Sequence, residues 1–471
     1  MKNIKRSIVI LTVVAALVTG CSKSALEKLN VDPQAQGDIN LNFLFSAVQL
    51  GLTSGGTLGE NRDLDWRVNI GYGAYAIQHL AFLDQGIAPG DKYEEYAEGD
   101  ERPFRYFYTD GLRKMSDILY QVDSGFAVGQ NYNNLKQATR IMKAFSFQRL
   151  TDLYGSIPYF EALQPRSGIF SPKYDKQKDI YMALLAELDE ATAAFTAADP
   201  TDGLAAADLF YAGDIDKWKR FGYSLMLRMA MRISNVDAAT ANTYVAKAIA
   251  GGVFQSNNDN VYVQMAVGPN PYLNQNGMSR TFIPGDGGQS SNLSRTLINF
   301  LKGGDTAITA DDDPRLMIIS GGIAQWPDES TWIPSNVTPL GQKGMPNGCD
   351  DRMLREYEGL SPTDPFDKYD YYSRMNPRLL DRDDPYMLMN YGEVEFNLAE
   401  AAERSIGGLT PGDAKAHYEA GVRASMQMYD IYDAAFAVTD AQVNTYLAAH
   451  LYGVFKPALE MIGEQIWVNH F

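Results

Sequence analysis

The sequence predicts a mainly α fold, a tetratricopeptide-like helical superhelix interrupted by a large irregular, loop-rich insertion. Three observations carry that expectation. Apolar residues recur at three- and four-residue spacing across about 41–254 and again across 391–471. Glycine, proline, asparagine and aspartate crowd about 255–390, where long periodic runs vanish. The helical stretches are joined by short polar turns, as in stacked helix pairs, although no strict 34-residue repeat is present.

The chain opens on a leader. Lys2, Lys5 and Arg6 form a basic start, Ser7 to Val18 a short apolar run, and Leu17-Val18-Thr19-Gly20-Cys21 a close of small residues before a cysteine. The run is too short to span a bilayer comfortably and reads as a signal peptide, residues 1–20. A cysteine directly after small residues is what a lipoprotein signal peptidase requires, so Cys21 is the expected site of lipidation. Each buried methylene of an acyl chain contributes roughly 0.8 kcal/mol, enough for several chains to hold a domain on a membrane. Residues 21–40 then serve as a polar tether, and 41–471 as one domain.

Between Asn134 and Leu153, Leu135, Ala138, Ile141, Met142 and Phe145 form one apolar stripe, with Asn133 or Asn134 as cap and Gly155 as stop. The next helix follows Ser171-Pro172 and aligns Ile180, Leu184, Leu188, Ala191 and Phe195. Asp214 caps a third, which buries Trp218, Phe221, Leu225 and Met229, and Gly251-Gly252 ends the helix after it. Past the insertion, Val394, Leu398, Ala401 and Ala402 make another stripe. Thr410-Pro411-Gly412-Asp413 supplies a cap, a first-turn proline and an acidic third residue for its partner helix.

Composition narrows the function. The formal charge is −17, and loss of the three basic residues of the leader leaves the mature chain more acidic still. Such a surface repels phosphate backbones, which excludes nucleic acid as a partner. With Cys21 lipidated, Cys349 stands alone and no intrachain disulfide can form. The four histidines are scattered, and Asp311-Asp312-Asp313 lacks calcium-loop spacing, so neither a metal nor a cofactor is expected.

A sugar site needs aromatic faces for axial C–H groups and carboxylate, amide or guanidinium partners for hydroxyls. Three segments offer this. Trp326 and Trp332 lie among Asp328, Glu329 and Asn336, with Gln325 and Pro327 favouring a loop at Trp326. Tyr93, Tyr96, Asp100 and Arg102 form a second group; Tyr369, Tyr372, Asp370 and Arg374 form a third. Two rival classes stand beside a binder, a helical glycoside hydrolase and a purely structural partner-binding scaffold. A hydrolase needs two carboxylates about 5 to 10 Å apart. Glu393 and Glu400 share a helical face, but a structural hydrogen-bonding role suits them better, and no nucleophile elbow, Walker loop or paired histidines occur.

Several stretches resemble one family in their order along the chain. They are Thr151-Asp152-Leu153-Tyr154-Gly155-Ser156-Ile157-Pro158-Tyr159, Ser171-Pro172-Lys173-Tyr174-Asp175, and Trp218-Lys219-Arg220-Phe221 through Arg232. After these come Asp313-Pro314-Arg315-Leu316, Gly344-Met345-Pro346-Asn347-Gly348, and Tyr391-Gly392-Glu393-Val394-Glu395-Phe396-Asn397-Leu398-Ala399-Glu400. The set resembles the SusD/RagB-like outer-membrane lipoproteins of Bacteroidetes, in particular the SusD-like subgroup. The resemblance implies a tetratricopeptide-like, non-enzymatic lipoprotein exposed on the outer membrane. It implies capture of a glycan or peptide nutrient for a SusC-type TonB-dependent transporter. Ala458 to Trp467 resembles the start of a closing helix that members continue, so a truncated C-terminus, with apolar surface exposed near 454–471, is expected.

Overall fold

A computed structural model of the chain describes residues 40–54, 62–83, 89–95, 97–126, 131–197, 203–268, 274–284, 291–303 and 312–471. The leader, Cys21, most of the tether and Tyr96 lie outside them. The chain divides into two compact units, Met1–Leu41 and Asn42–Phe471, and the architecture below is that of the second.

Its longer helices are α1 (Leu41–Ser54), α2 (Leu112–Asp123), α3 (Asn133–Tyr154), α4 (Gln177–Ala193), α5 (Ile215–Arg232) and α6 (Ala238–Gly251), then α7 (Tyr391–Glu403), α8 (Pro411–Gln427), α9 (Asp440–Ala449) and α10 (Ala458–Asn469). The helices α3 to α6 pack in sequence along neighbouring faces. Their predicted stripes are the buried faces: Leu135, Ile141, Leu184, Leu188, Phe221 and Leu225 are all enclosed. Gly222 lets α5 come close, since a Cβ there would fall 2.4 Å from Thr192 Cγ2 of α4 and 3.0 Å from Ile141 Cδ1 of α3. Asp214 caps α5 by accepting the Lys217 N–H at 3.1 Å, and Gly155 ends α3 at φ +70°. The capping box of Thr410 and Asp413 opens α8.

One expected cap is displaced. Tyr132 occupies the cap position of α3 without a side-chain bond. The two asparagines reach across to the end of α4 instead: Asn133 Nδ2 donates to the Ala194 carbonyl at 2.9 Å, and Asn134 Oδ1 accepts the Thr196 N–H at 3.0 Å. Tertiary partners satisfy these side chains, so they tie two helices together rather than closing one.

The insertion is ordered and carries strands where an irregular, loop-rich region is expected. It holds a three-stranded antiparallel sheet in the order β5 (Thr331–Asn336), β4 (Ser320–Asp328), β6 (Ser373–Met375). One short antiparallel pair, β1 (Leu80–Ala81) with β3 (Asn292–Leu293), joins it to the rest, and a second, β2 (Val261–Gln264) with β7 (Pro385–Met389), ties its two ends together. Trp326 therefore sits in a strand, not a loop. Pro327 is tolerated because the β4–β5 register slips between Gln325 and Asp328, and a bulge needs no ladder donor there.

One apolar core spans the insertion and the late helices. Leu297, Ile298, Leu316 and Ile319 of the insertion cluster with Phe396 of α7, Val422 of α8 and Val468 of α10. A buried ion pair pins the same junction. Arg315 donates to Asp313 at 2.6 Å, to Ser425 Oγ at 2.8 Å and to Gln465 Oε1 at 2.9 Å, with guanidinium and carboxylate both enclosed. Glu393 and Glu400 are structural here, Glu393 forming a bidentate pair with Arg228 and Glu400 pairing with Arg404. On α10, Met461, Ile462, Gln465 and Val468 are buried; Val454, Phe455 and Leu459 just before and at its start are exposed.

Candidate functional site

The first candidate segment becomes the β4–β5 hairpin. Its two tryptophans meet edge to face, ring centroids 5.4 Å apart and planes at 81°. Such a pair is worth about 0.5–1.5 kcal/mol beyond its area and holds both rings in fixed orientation. Trp326 packs partly on the main core. Trp332 lies over Gly321, where a Cβ would come 3.1 Å from its ring. Both rings stay partly exposed, and Ile333, 49% exposed, follows directly.

Polar groups frame these rings. At the tip, Asp328 accepts from the Ser330 N–H at 3.1 Å and its hydroxyl at 2.9 Å. Hydrogen bonds from Thr331 and Ser330 hold its carboxyl below the usual range. Glu329 pairs with Arg382 at 2.7 Å, and Gln325 is exposed beside Trp326. The hairpin therefore carries two angled apolar faces on a sheet rather than a free loop, with carboxylate and amide groups on the same two strands and their turn.

The third candidate segment joins the same sheet, because β6 pairs with β4 at Gly322↔Arg374 and Ile323↔Ser373. Its side chains are spent differently from the expectation. Tyr372 is 0% exposed and donates to Glu358 at 2.7 Å. Arg374 is buried, donating to the Ala324 carbonyl and to Asp370, each at 3.0 Å. Both hold the sheet together and neither faces solvent. Tyr369 is half-buried between the two core clusters. The exposed member of this segment is Tyr371, with Lys343 Nζ 4.3 Å from its ring centre.

Of the second group, Tyr93 and Arg102 have described side chains, and each bonds to a partner outside the group. Tyr93 is 67% exposed, held at φ +54° by its hydroxyl donating to the Ala76 carbonyl at 3.0 Å. Arg102 is committed to Asp63 at 3.1 Å and the Tyr106 hydroxyl at 3.2 Å. Sequence reasoning passed over Tyr371 and Gln325 as site residues, and no local pattern marks them: Tyr371 lies just before β6, whose three residues are all buried. Among the described residues no cluster of three or more His, Cys, Asp or Glu side chains could hold a metal ion. The Cys349 thiol is pushed up by burial, away from the reactive thiolate form.

A helical scaffold with firmly mounted, partly exposed aromatic rings defines the class of a binding protein. Comparison places it further. Residues 35–471 match the SusD-like_2 family model, described as starch-binding associating with outer membrane. The chain belongs to that family. Among solved structures it is similar to a chitin-binding protein, at 28% identity and TM-score 0.70, covering 91% of this chain and 84% of that one. It is also similar to a SusD-like protein from a Bacteroidetes source, at 25% identity and TM-score 0.71, over 92% and 86% of the two chains. A SusD homolog from Parabacteroides distasonis shares the fold at 22% identity and TM-score 0.69, over 92% and 82%. No curated protein matches significantly.

Proposed function

We propose that this protein is a surface lipoprotein, anchored through Cys21, that captures a glycan on its β4–β5 hairpin and passes it unaltered to a SusC-type TonB-dependent transporter. The observation that carries the reading is the edge-to-face Trp326–Trp332 pair, two rings held partly open to solvent on a braced sheet. An oligosaccharide lays the C–H face of one unit on each ring, and Gln325, Glu329 and Arg382 meet its hydroxyls. The family description and the chitin-binding relative support a sugar over a peptide. Among the described residues no helix is long and apolar enough to cross a membrane, which is compatible with a lipid anchor.

The test is affinity electrophoresis and calorimetry of the mature chain with starch and chitin oligosaccharides, followed by product analysis. Retention without cleavage, weakened in Trp326→Ala and Trp332→Ala, supports capture. Released oligomers would identify a hydrolase, and no retention together with co-purification of a barrel partner would leave a scaffold. Mass spectrometry of the membrane-extracted protein reads the lipid on Cys21 directly.

A further inference from the structure

The β4–β5 ladder breaks where the tryptophans stand. Gln325 pairs with Ile333 and Asp328 with Thr331, so Trp326 and Pro327 on one strand oppose Trp332 alone on the other. A bulge of this kind leaves a residue out of the ladder and bends its strand. The ladder therefore does not by itself fix the outer end of the hairpin on its base. Inside the break, Trp326 packs on the core and Trp332 lies over Gly321. Beyond it, Pro327, Asp328, Glu329 and Ser330 are all exposed.

This outer end is tied down at a single point. Asp328 bonds only within the turn, to Ser330 and Thr331. Glu329 reaches out of it: its Oε1 accepts from Arg382 Nε at 2.8 Å and lies 2.7 Å from Arg382 Nη2. Among the described residues this is the only hydrogen bond or ion pair from residues 327–331 to anything outside the hairpin.

The far side of the contact is braced. The Arg382 side chain is 17% exposed, against 57% for Glu329. Its Nη1 donates to Oε1 of the buried Gln275 at 3.1 Å, and its carbonyl accepts the Asn276 N–H at 2.8 Å. Asn276 is buried too; it caps the helix Gly277–Phe282 and donates to the Asp384 carbonyl at 3.2 Å, just before β7. The guanidinium is thus fixed from behind and holds one oxygen of Glu329. Among the described residues the other oxygen, Oε2, has no bond, so the same contact aims it outward for a ligand hydroxyl.

We propose that the Glu329–Arg382 pair is a latch that positions the Trp326–Trp332 platform, with both charged residues acting as positioning residues. The proposal rests on the hairpin reading for its binding assays, while the ring geometry is read without ligand. Circular dichroism of the ligand-free mature chain shows the exciton couplet of two coupled indoles, and Trp332→Ala marks it by abolishing it. The couplet should weaken in both Glu329→Ala and Arg382→Met. Calorimetry with maltohexaose and chitohexaose should show each variant binding about threefold more weakly, the scale of an exposed ion pair. The double variant should bind no more weakly than Glu329→Ala alone. Raising salt to about 1 M, where the Debye length is about 3 Å, should weaken the parent toward the variants and leave the variants unchanged, since these sugars carry no charge. A couplet that keeps its amplitude in both single variants overturns the latch, and so do binding losses that multiply in the double variant. Glu329→Ala alters only an exposed side chain, so it decides the matter if Arg382→Met does not fold. If the parent binds neither sugar, the hairpin reading falls and the couplet alone decides the latch.

Discussion

Trp218 stands on α5 with no exposed surface, its indole N–H donated to Asp208 at 2.7 Å and its ring among Phe45, Phe210, Tyr211 and Phe221. Trp326 and Trp332 stand on a bulged hairpin, partly exposed, Trp326 against the edge of the core and Trp332 over Gly321, and the two rings against each other. The side chain is the same, and the backbone decides its use. A helix face directs successive residues of a stripe into one neighbour, whereas a hairpin at a sheet edge can mount a ring with one side left open. Stability and recognition are thus expected to separate between the two regions, and substitution can test that separation.

The largest effect should come from the helical side. Trp218→Ala leaves a large void and removes one of the hydrogen bonds to the buried Asp208, and should lower unfolding stability by about 3–5 kcal/mol in urea denaturation. Asp313→Ala, which strands the buried Arg315, should cost a similar amount, about 3–5 kcal/mol. If both variants unfold within about 1 kcal/mol of the parent, the division of labour between scaffold and hairpin is broken.

The next prediction sets two aspartates against each other. Asp328 on the hairpin is open to water and held low by hydrogen bonds from Thr331 and Ser330. Asp65, at the start of the π-helical segment Asp65–Ala74, is enclosed, and burial pushes its carboxyl up to about 6. The folded state therefore keeps the Asp65 proton between the ordinary aspartate range near 4 and about 6, where the unfolded chain has lost it. More protons bound in the folded state mean that stability falls as pH rises through that window, by about 1.4 kcal/mol per unit. Asp65→Asn removes this slope. Denaturation at pH 4 and pH 7 should show the variant gaining about 2 kcal/mol relative to the parent. A constant difference between the two would mean that Asp65 is not desolvated. Asp328→Asn should show no comparable gain.

The helical half was legible because its signals are local. Asp214 before Trp218, the Thr410–Asp413 box and Gly155 act within one turn of where they stand, and the stripes they bound became buried faces. The candidate site was legible only in part. Trp326 and Trp332 declared themselves by residue type and spacing, but Tyr372 and Arg374 looked equally suited and are spent on the inner side of the sheet. Nothing within residues 369–374 reveals that, since it depends on Ala324 and Glu358 arriving from elsewhere in the insertion. The segment Asp65–Ala74 was harder still, because a π-helical turn has no spacing rule as firm as the 3.6-residue stripe.

The hairpin itself should give the smallest change in stability and the clearest change in binding. Trp332 buries only part of its ring and has one edge-to-face partner, so Trp332→Ala should reduce stability by about 1–2 kcal/mol, well below Trp218→Ala. On the reading above it removes one of two sugar platforms, and retention on the preferred oligosaccharide should fall about tenfold, equivalent to about 1.4 kcal/mol. Trp332→Phe keeps a face of smaller area and should restore part of that loss, which a merely structural tryptophan would not predict. Measured together, the stability and binding of Trp332→Ala and Trp218→Ala form a cross. Trp218→Ala at a temperature where it stays folded should bind as the parent does, while Trp332→Ala should fold as the parent does and bind poorly. Equal effects on both axes from either variant would mean that the two regions are coupled through the shared core, with the hairpin no longer an independent surface.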